Sequence, residues 1–235
     1  MPLAAKLACA LALLAPFAPL PARSVPTTTP VKVMAIGDSL TVGIGSSRGG
    51  GYRAPFWEHM RDAGIEVDMV GGKVDGPETF DNRHQGYAQM PLHELSAGVF
   101  DKVRSYEPDF VLLLAGSDEV GTSHFSPHAF AANLDVMIDR VFTAKSDVKL
   151  LIATLPPAKF GKKQGAKRAV NELLRRTVRE RAARGQAVYL VDAFAAIDPQ
   201  REMADAAHPN DAGYERIGES FADVLLPLLG VERIE

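Results

Sequence analysis

The chain has 235 residues, a formal net charge of −3 and 46% apolar residues. This length is enough to bury one sizeable core, so the expectation is a single folded domain. A charge this close to balance gives no electrostatic reason to expect nucleic acid or an anionic membrane as a partner. A few basic residues cluster in sequence and are expected to form a solvated loop and helix face; they are Lys162, Lys163, Lys167 and Arg168.

Residues 1–23 have the pattern of a secretory signal peptide. Lys6 supplies a positive charge, Leu7–Leu14 form a short apolar stretch, and a Pro/Ala-rich tail ends near Ala22. The stretch is too short for a transmembrane helix, and the alternative is a buried N-terminal helix. We therefore expect a secreted protein with a flexible lead-in at 24–30 and a folded domain at 31–235. Cys9 is the one cysteine, so the mature chain would have no disulfide, thiolate metal site or cysteine nucleophile.

Short apolar segments alternate with longer amphipathic ones along the rest of the chain. The apolar segments predict buried strands at 31–36, 67–70, 110–114, 148–153 and 187–191. The amphipathic segments predict helices at 55–63, 91–104, 126–144, 166–184 and 212–229. Residues 71–89 are polar and rich in Gly, Asp and Asn, which predicts a loop. The alternation predicts a three-layer α/β/α sandwich around a flavodoxin-like, five-stranded parallel sheet of order 2-1-3-4-5.

This strand order predicts where a ligand would bind. In such sheets the binding crevice lies beyond the carboxyl ends of the strands, where the strand order reverses. Here that point lies between the first and third strands. Gly37–Leu40 and Gly116–Glu119 follow those two strands, so we expect them to face each other across the crevice.

Three residues near strand ends could form a nucleophilic site. Ser39 follows the first strand, and a serine needs an adjacent base to become a nucleophile. His208 is the strongest candidate base, because Asp205 precedes it by three residues and could fix its tautomer and stabilise the imidazolium. Each element has a plain structural alternative: a serine in this place can cap a helix, and an Asp-x-x-His can start one. Their joint placement at strand ends favours the catalytic interpretation.

Two sequence blocks carry a resemblance to a known family. Gly37-Asp38-Ser39-Leu40 resembles the GDSL block of the SGNH hydrolases, and residues 205–210, Asp-Ala-Ala-His-Pro-Asn before Gly213-Tyr214, resemble their last block. Further segments resemble the bacterial and fungal acetylxylan esterases of carbohydrate esterase family three; they are Gly51-Tyr52-Arg53, Val70-Gly71 and His84-Gln85-Gly86-Tyr87. The resemblance covers residues 31–229.

The resemblance implies a role for each site residue. Ser39 is the nucleophile and supplies the first oxyanion N–H, Gly86 supplies a second N–H, and Asp38 holds the turn around the serine. No cofactor or metal is implied, and the histidines other than His208 show no metal-ligand spacing; they are His59, His84, His93, His124 and His128. The implied partner is a small acyl ester or an acetylated polysaccharide such as xylan, acted on by a monomer. A lipase or thioesterase for longer acyl chains is the alternative enzyme.

The chain departs from the family at its third block. That block is normally Gly-x-Asn-Asp, and its Asn donates a hydrogen bond to the oxyanion. Here residues 116–119 read Gly-Ser-Asp-Glu, so Asp118 stands at the Asn position, and an ionised carboxylate cannot donate. Three accounts remain open: Asp118 is held protonated and donates, the hole works with two backbone donors, or the protein is a catalytically impaired relative that binds carbohydrate.

Overall fold

The fold is given by a computed structural model that describes residues 29–120, 125–161 and 163–231. The predicted signal peptide with Cys9, nearly all of the predicted lead-in, His124 and Lys162 lie outside the described residues. The first strand begins at Val31.

The described residues form one sheet of seven strands. In chain order the strands are β1 Val31–Gly37, β2 Val67–Met69, β3 Lys73–Val74, β4 Arg83–Gly86, β5 Phe110–Leu114, β6 Lys149–Ala153 and β7 Val188–Val191. One edge of β1 pairs in parallel with β5, which is followed by β6 and β7. The other edge pairs first with β2 along residues 31–33 and then with β4 along residues 36–37. Strand β3 is antiparallel to β4.

The predicted α/β class with a mainly parallel sheet is confirmed, but two details of the prediction are wrong. The sheet of the described residues has seven strands instead of five, and the predicted loop at 71–89 contains β3 and β4. The two strands escaped prediction because they are short and carry polar side chains such as Arg83 and His84. Their place in the sheet comes from backbone pairing, which leaves no apolar pattern in the sequence.

Helices cover the sheet. They are α1 Ser39–Val42, α2 Arg53–Asp62, α3 Leu92–Tyr106, α4 Ser117–Val120, α5 Pro127–Ala144, α6 Lys163–Ala183, α7 Ala193–Ala196 and α8 Asp211–Leu228. Helix α2 packs against α8, while α5 packs against both α3 and α6. The five long helices lie within three residues of their predicted bounds, whereas the three four-residue helices are too short to show a periodicity. In the part of the chain that the structure describes, no helix has the length and apolar character needed to cross a membrane.

Two glycine-to-alanine variants, one at a helix contact and one on an open helix surface, test the packing of α8 on α2. A Cβ at Gly218 would lie 2.7 Å from the backbone nitrogen of Phe56 and 2.8 Å from the carbonyl oxygen of Tyr52, so Gly218→Ala would force two helices apart. We expect the free energy of unfolding to fall by about 1–3 kcal/mol. Gly98 lies in α3 with nothing within 4 Å of such a Cβ, so Gly98→Ala should instead stabilise by about 0.5–1 kcal/mol. Urea unfolding measures both, and equal signs for the two variants would contradict the packing.

Candidate active site

Three side chains meet in a hydrogen-bonded relay at the carboxyl edge of the sheet. Ser39 is the first residue of α1, directly after β1, and its Oγ lies 3.1 Å from Nε2 of His208. Nδ1 of the same ring lies 2.8 Å from Oδ2 of Asp205. With the Nδ1 proton directed at the carboxylate, Nε2 is left as the acceptor for the serine hydroxyl proton. Two residues 169 positions apart in sequence, Ser39 and His208, are thereby brought into contact.

The carboxylate of Asp205 is fixed by its own turn. Its Oδ1 accepts the N–H groups of Ala207 at 2.7 Å and His208 at 2.8 Å, which leaves Oδ2 for the imidazole. Burial by itself would raise the pKa of Asp205, but these hydrogen bonds outweigh it and lower the pKa to about 2. The group is therefore ionised across the working pH range, as a partner for an imidazolium must be.

Two neighbours hold the histidine turn against the rest of the site. Gly45, at φ +97°, lies so close that a Cβ there would be 2.5 Å from the carbonyl oxygen of Pro209 and 2.9 Å from the Cβ of His208. On the other side, Nζ of Lys167 contacts the carbonyl oxygens of Pro157 and Ala207, each at 3.4 Å. Lys167 is 1% exposed, so the prediction that it belongs to a solvated face is wrong. Burial lowers the pKa of this lysine to about 8.

Asp38 joins the two segments that were expected to face each other. Its Oδ1 accepts the N–H of Leu40 at 3.0 Å, within the turn that carries the serine. Its Oδ2 accepts the N–H of Gly116 at 3.1 Å, and both the N–H and the hydroxyl of Ser117 at 2.9 and 2.6 Å. The side chain is fully buried, and both of its oxygens have hydrogen-bond donors.

Gly86 ends β4 beside Gly37, the last residue of β1. Its N–H donates to Nδ1 of His84 at 2.9 Å, so this predicted oxyanion donor is already engaged within the protein. The Nε2 of His84 lies 3.1 Å from Oδ2 of Asp75 and donates to it. Burial, and then the charge of Arg53, lower the pKa of His84 to about 4, so the ring is neutral. The sequence offered no sign of this pair, in which His84 is buried and Asp75 is exposed, beyond the histidine itself.

Asp118 is the second residue of α4 and is partly buried. Its Oδ2 is buried and has no hydrogen-bond partner among the described residues. Burial first, and then the charges of Asp38 and Glu119, raise the pKa of this carboxyl to about 6; His208 and Lys163 act in the opposite direction. Over the described ranges, no group of three or more His, Cys, Asp or Glu side chains is placed to hold a metal ion.

Comparison with known proteins identifies the group to which this site belongs. A model of the GDSL-like lipase/acylhydrolase family matches residues 35–216, which span the serine, the histidine and the acid. The chain belongs to this family. The family description names lipases and acylhydrolases, enzymes that hydrolyse carboxylic esters.

Individual relatives refine the comparison. A multidomain esterase of Ruminococcus flavefaciens is 26% identical over a match covering 82% of this chain and 28% of that protein, so the GDSL chain spans less than a third of its length. A solved family 3 carbohydrate esterase of Clostridium thermocellum is 25% identical, with a TM-score of 0.76 over 87% of this chain and 100% of that one. A second, from Talaromyces cellulolyticus, shares the fold with 23% identity and a TM-score of 0.73 over 86% and 100% of the chains.

Arg53 belongs to one of the segments that carry the resemblance, but the sequence predicts no role for it; in the structure it holds the turn that follows Ser39. Arg53 is fully buried, and its guanidinium donates to the carbonyl oxygens of Thr41 at 2.9 Å and Val42 at 3.3 Å, both just after the serine. The same group donates to the backbone carbonyl oxygens of Asn82 at 2.7 Å and Asp75 at 2.9 Å, in the segment before β4. Burial lowers the pKa of Arg53 to about 10, so it stays charged at neutral pH.

Proposed function

We propose that this chain hydrolyses short acyl esters by a serine acyl-enzyme mechanism. The observation that carries the proposal is the relay from Ser39 Oγ to His208 Nε2 at 3.1 Å and from His208 Nδ1 to Asp205 Oδ2 at 2.8 Å. Both distances are within hydrogen-bonding range for a nucleophile, its base and the group that orients the base.

In the proposed reaction, Ser39 Oγ attacks the ester carbonyl carbon while its proton passes to Nε2 of His208. The carbonyl π electrons move to the oxygen, and the resulting oxyanion needs hydrogen-bond donors. The N–H of Ser39 is one candidate, because no described residue accepts a hydrogen bond from it. The imidazolium then protonates the departing alcohol, and a water molecule repeats the sequence on the acyl-serine to release the acid. Asp205 stays ionised throughout.

For the natural substrate we propose acetyl groups on a plant polysaccharide such as xylan, with the protein secreted. The similarity to family 3 carbohydrate esterases supports a carbohydrate ester, and the signal-like residues 1–23 support action outside the cell. The segment at 71–89, which the structure resolves into β3 and β4, is polar and offers no apolar lid for a long acyl chain.

The test combines labelling with turnover. A fluorophosphonate probe should attach to one peptide, the one containing Ser39, as mapped by mass spectrometry. The enzyme should hydrolyse p-nitrophenyl acetate faster than the butyrate, octanoate and palmitate esters, and it should release acetate from acetylated xylan. Labelling at another residue would overturn the mechanism. A rate that rises with chain length would favour the lipase or thioesterase alternative.

Asp118 favours a second candidate, a catalytically impaired relative that binds carbohydrate. An ionised carboxylate at the position of the family Asn would remove an oxyanion donor and repel the oxyanion itself. This candidate predicts no turnover of any ester by the natural chain between pH 4 and 9, together with retention of the protein on an acetylated xylan column. Measurable turnover at any pH in that range would exclude it.

A further inference from the structure

We infer that Asp118 acts as a neutral carboxylic acid that donates a hydrogen bond to the oxyanion, which makes this an esterase of acidic conditions. The inference rests on the proposed function and adds a catalytic residue to it. It reconciles an intact serine relay with an acidic residue at the place where the family uses the amide of Asn.

The hydrogen bonds of three neighbouring carboxyl groups show which one takes up a proton. Asp38 receives four donors, three N–H groups and one hydroxyl, so its charge is well stabilised. Glu119 accepts the N–H of Leu92 at the start of α3. Asp118 has a buried Oδ2 that receives no donor from any described residue. Ionisation of Asp118 would leave this buried oxygen without a stabilising donor, whereas Asp38 has four, so the neutral form is favoured at Asp118.

The surrounding charges point the same way. Burial disfavours the ionised form of Asp118, and the carboxylates of Asp38 and Glu119 add repulsion, while His208 and Lys163 oppose them; together they raise its pKa to about 6. When His208 takes the serine proton it becomes cationic, but the oxyanion forms in the same step. The effects of these two new charges on Asp118 have opposite signs, so the neutral acid can persist through the reaction.

The chemistry of the step balances without any further group. The Asp118 hydroxyl keeps its proton and shares it with the oxyanion as a hydrogen bond, as a carboxylic acid can do where its surroundings keep it neutral. No proton is transferred to the acyl oxygen, and the serine proton still passes to His208 and then to the leaving alcohol. Above its pKa the same group can only accept, and the hole loses a donor.

The experiment is a pH profile of kcat/KM for phenyl acetate between pH 4 and 9, with phenol measured by chromatography. Burial and the neighbouring carboxylates put the pKa of Asp118 at about 6. Wild-type activity should therefore fall by about 50-fold from pH 6 to pH 8, because the protonated fraction falls from about one half to about one hundredth. Asp118→Asn donates at every pH, and its profile should lack this decline. At pH 8 this variant should exceed the wild type by about 10- to 100-fold. Asp118→Ala should lose about 10²–10³-fold at pH 5.5.

Glu119→Gln supplies a control that keeps an acceptor for the N–H of Leu92 but removes one neighbouring charge. It should move the declining limb of the profile to lower pH, which a purely structural role for Glu119 would not do. An unchanged decline in Asp118→Asn, or full activity of Asp118→Ala at pH 5.5, would overturn the inference while leaving the esterase proposal intact. An inactive wild type with an active Asp118→Asn would also overturn it. Inactivity of every variant at every pH would instead overturn the proposed function.

Discussion

Ser39→Ala is expected to abolish measurable ester hydrolysis, with a fall of at least about 10⁴-fold in kcat for p-nitrophenyl acetate. Among the described residues, the Ser39 hydroxyl is the group that contacts Nε2 of His208, at 3.1 Å, and can be activated by it. Its loss removes the covalent route entirely, and whatever slow hydrolysis remains comes from water in the same site. KM should change little, because the hydroxyl contributes to the transition state far more than to ground-state binding.

Two comparisons show that such a loss would be chemical and not structural. Ser220→Ala removes a hydroxyl that donates to the carbonyl oxygen of Arg216 at 2.7 Å on α8, and its rate should equal that of the wild type. His208→Ala should be nearly as inactive as Ser39→Ala, and the double variant no worse than either single one, because the residues of a relay act as a unit. Hydrolysis by Ser39→Ala within tenfold of the wild type would refute the assignment of the nucleophile.

The convergence of the serine and the histidine was predictable because both lie in blocks of recognisable sequence, Ser39 directly after β1 and His208 in the loop before α8. Parallel strands bring their carboxyl ends to one edge of the sheet, so a residue just after β1 must lie near the loops that follow the other strands. The strands β3 and β4 were not predictable in this way. Their residues are polar and few, and they extend the sheet through the backbone pairing of Lys73 with His84 and Val74 with Arg83.

The burial of Lys167 could have been predicted from the helical period of α6, but the basic residues near it in sequence favoured a solvated position. Three and seven positions further along α6 lie the buried residues Val170 and Leu174, so the helical period places Lys167 on the same apolar face. Its neighbours in sequence, Lys163 and Arg168, favoured the interpretation of a solvated basic cluster. The period of the helix decides burial, whereas the local density of charge does not.

The state of Asp118 could not be derived from the sequence at all. Its identity at the Asn position was visible, but its pKa depends on how many donors reach each of three carboxyl groups. Those donors come from the turn after β1, from the start of α4 and from the start of α3. Only the folded chain determines that Asp38 receives four of them and that Oδ2 of Asp118 receives none from the described residues.

Arg53→Met is expected to reduce the free energy of unfolding by roughly 3–5 kcal/mol, because several carbonyl oxygens lose a charged donor and each one left buried without a partner costs about 1–3 kcal/mol. Four carbonyl oxygens would lose their donor, on Thr41, Val42, Asp75 and Asn82. Two of these belong to the turn after Ser39, so kcat should fall as well, through a nucleophile that is less firmly placed. Urea unfolding at pH 7, where the wild-type guanidinium is charged, measures the stability change.

Arg53→Lys keeps the charge but cannot reproduce the planar fork that reaches carbonyl oxygens on both sides, so it should recover only part of the loss. It also keeps the prediction testable if the methionine variant does not fold. Arg61→Met is the matched control on the same helix: Arg61 is 56% exposed and pairs with Asp62 at the surface, so its removal should change the free energy of unfolding by less than about 0.5 kcal/mol. If Arg53→Met and Arg61→Met were equally stable, the guanidinium would not be the brace between the serine turn and the segment before β4, and the order of that turn would have to come from Asp38 alone.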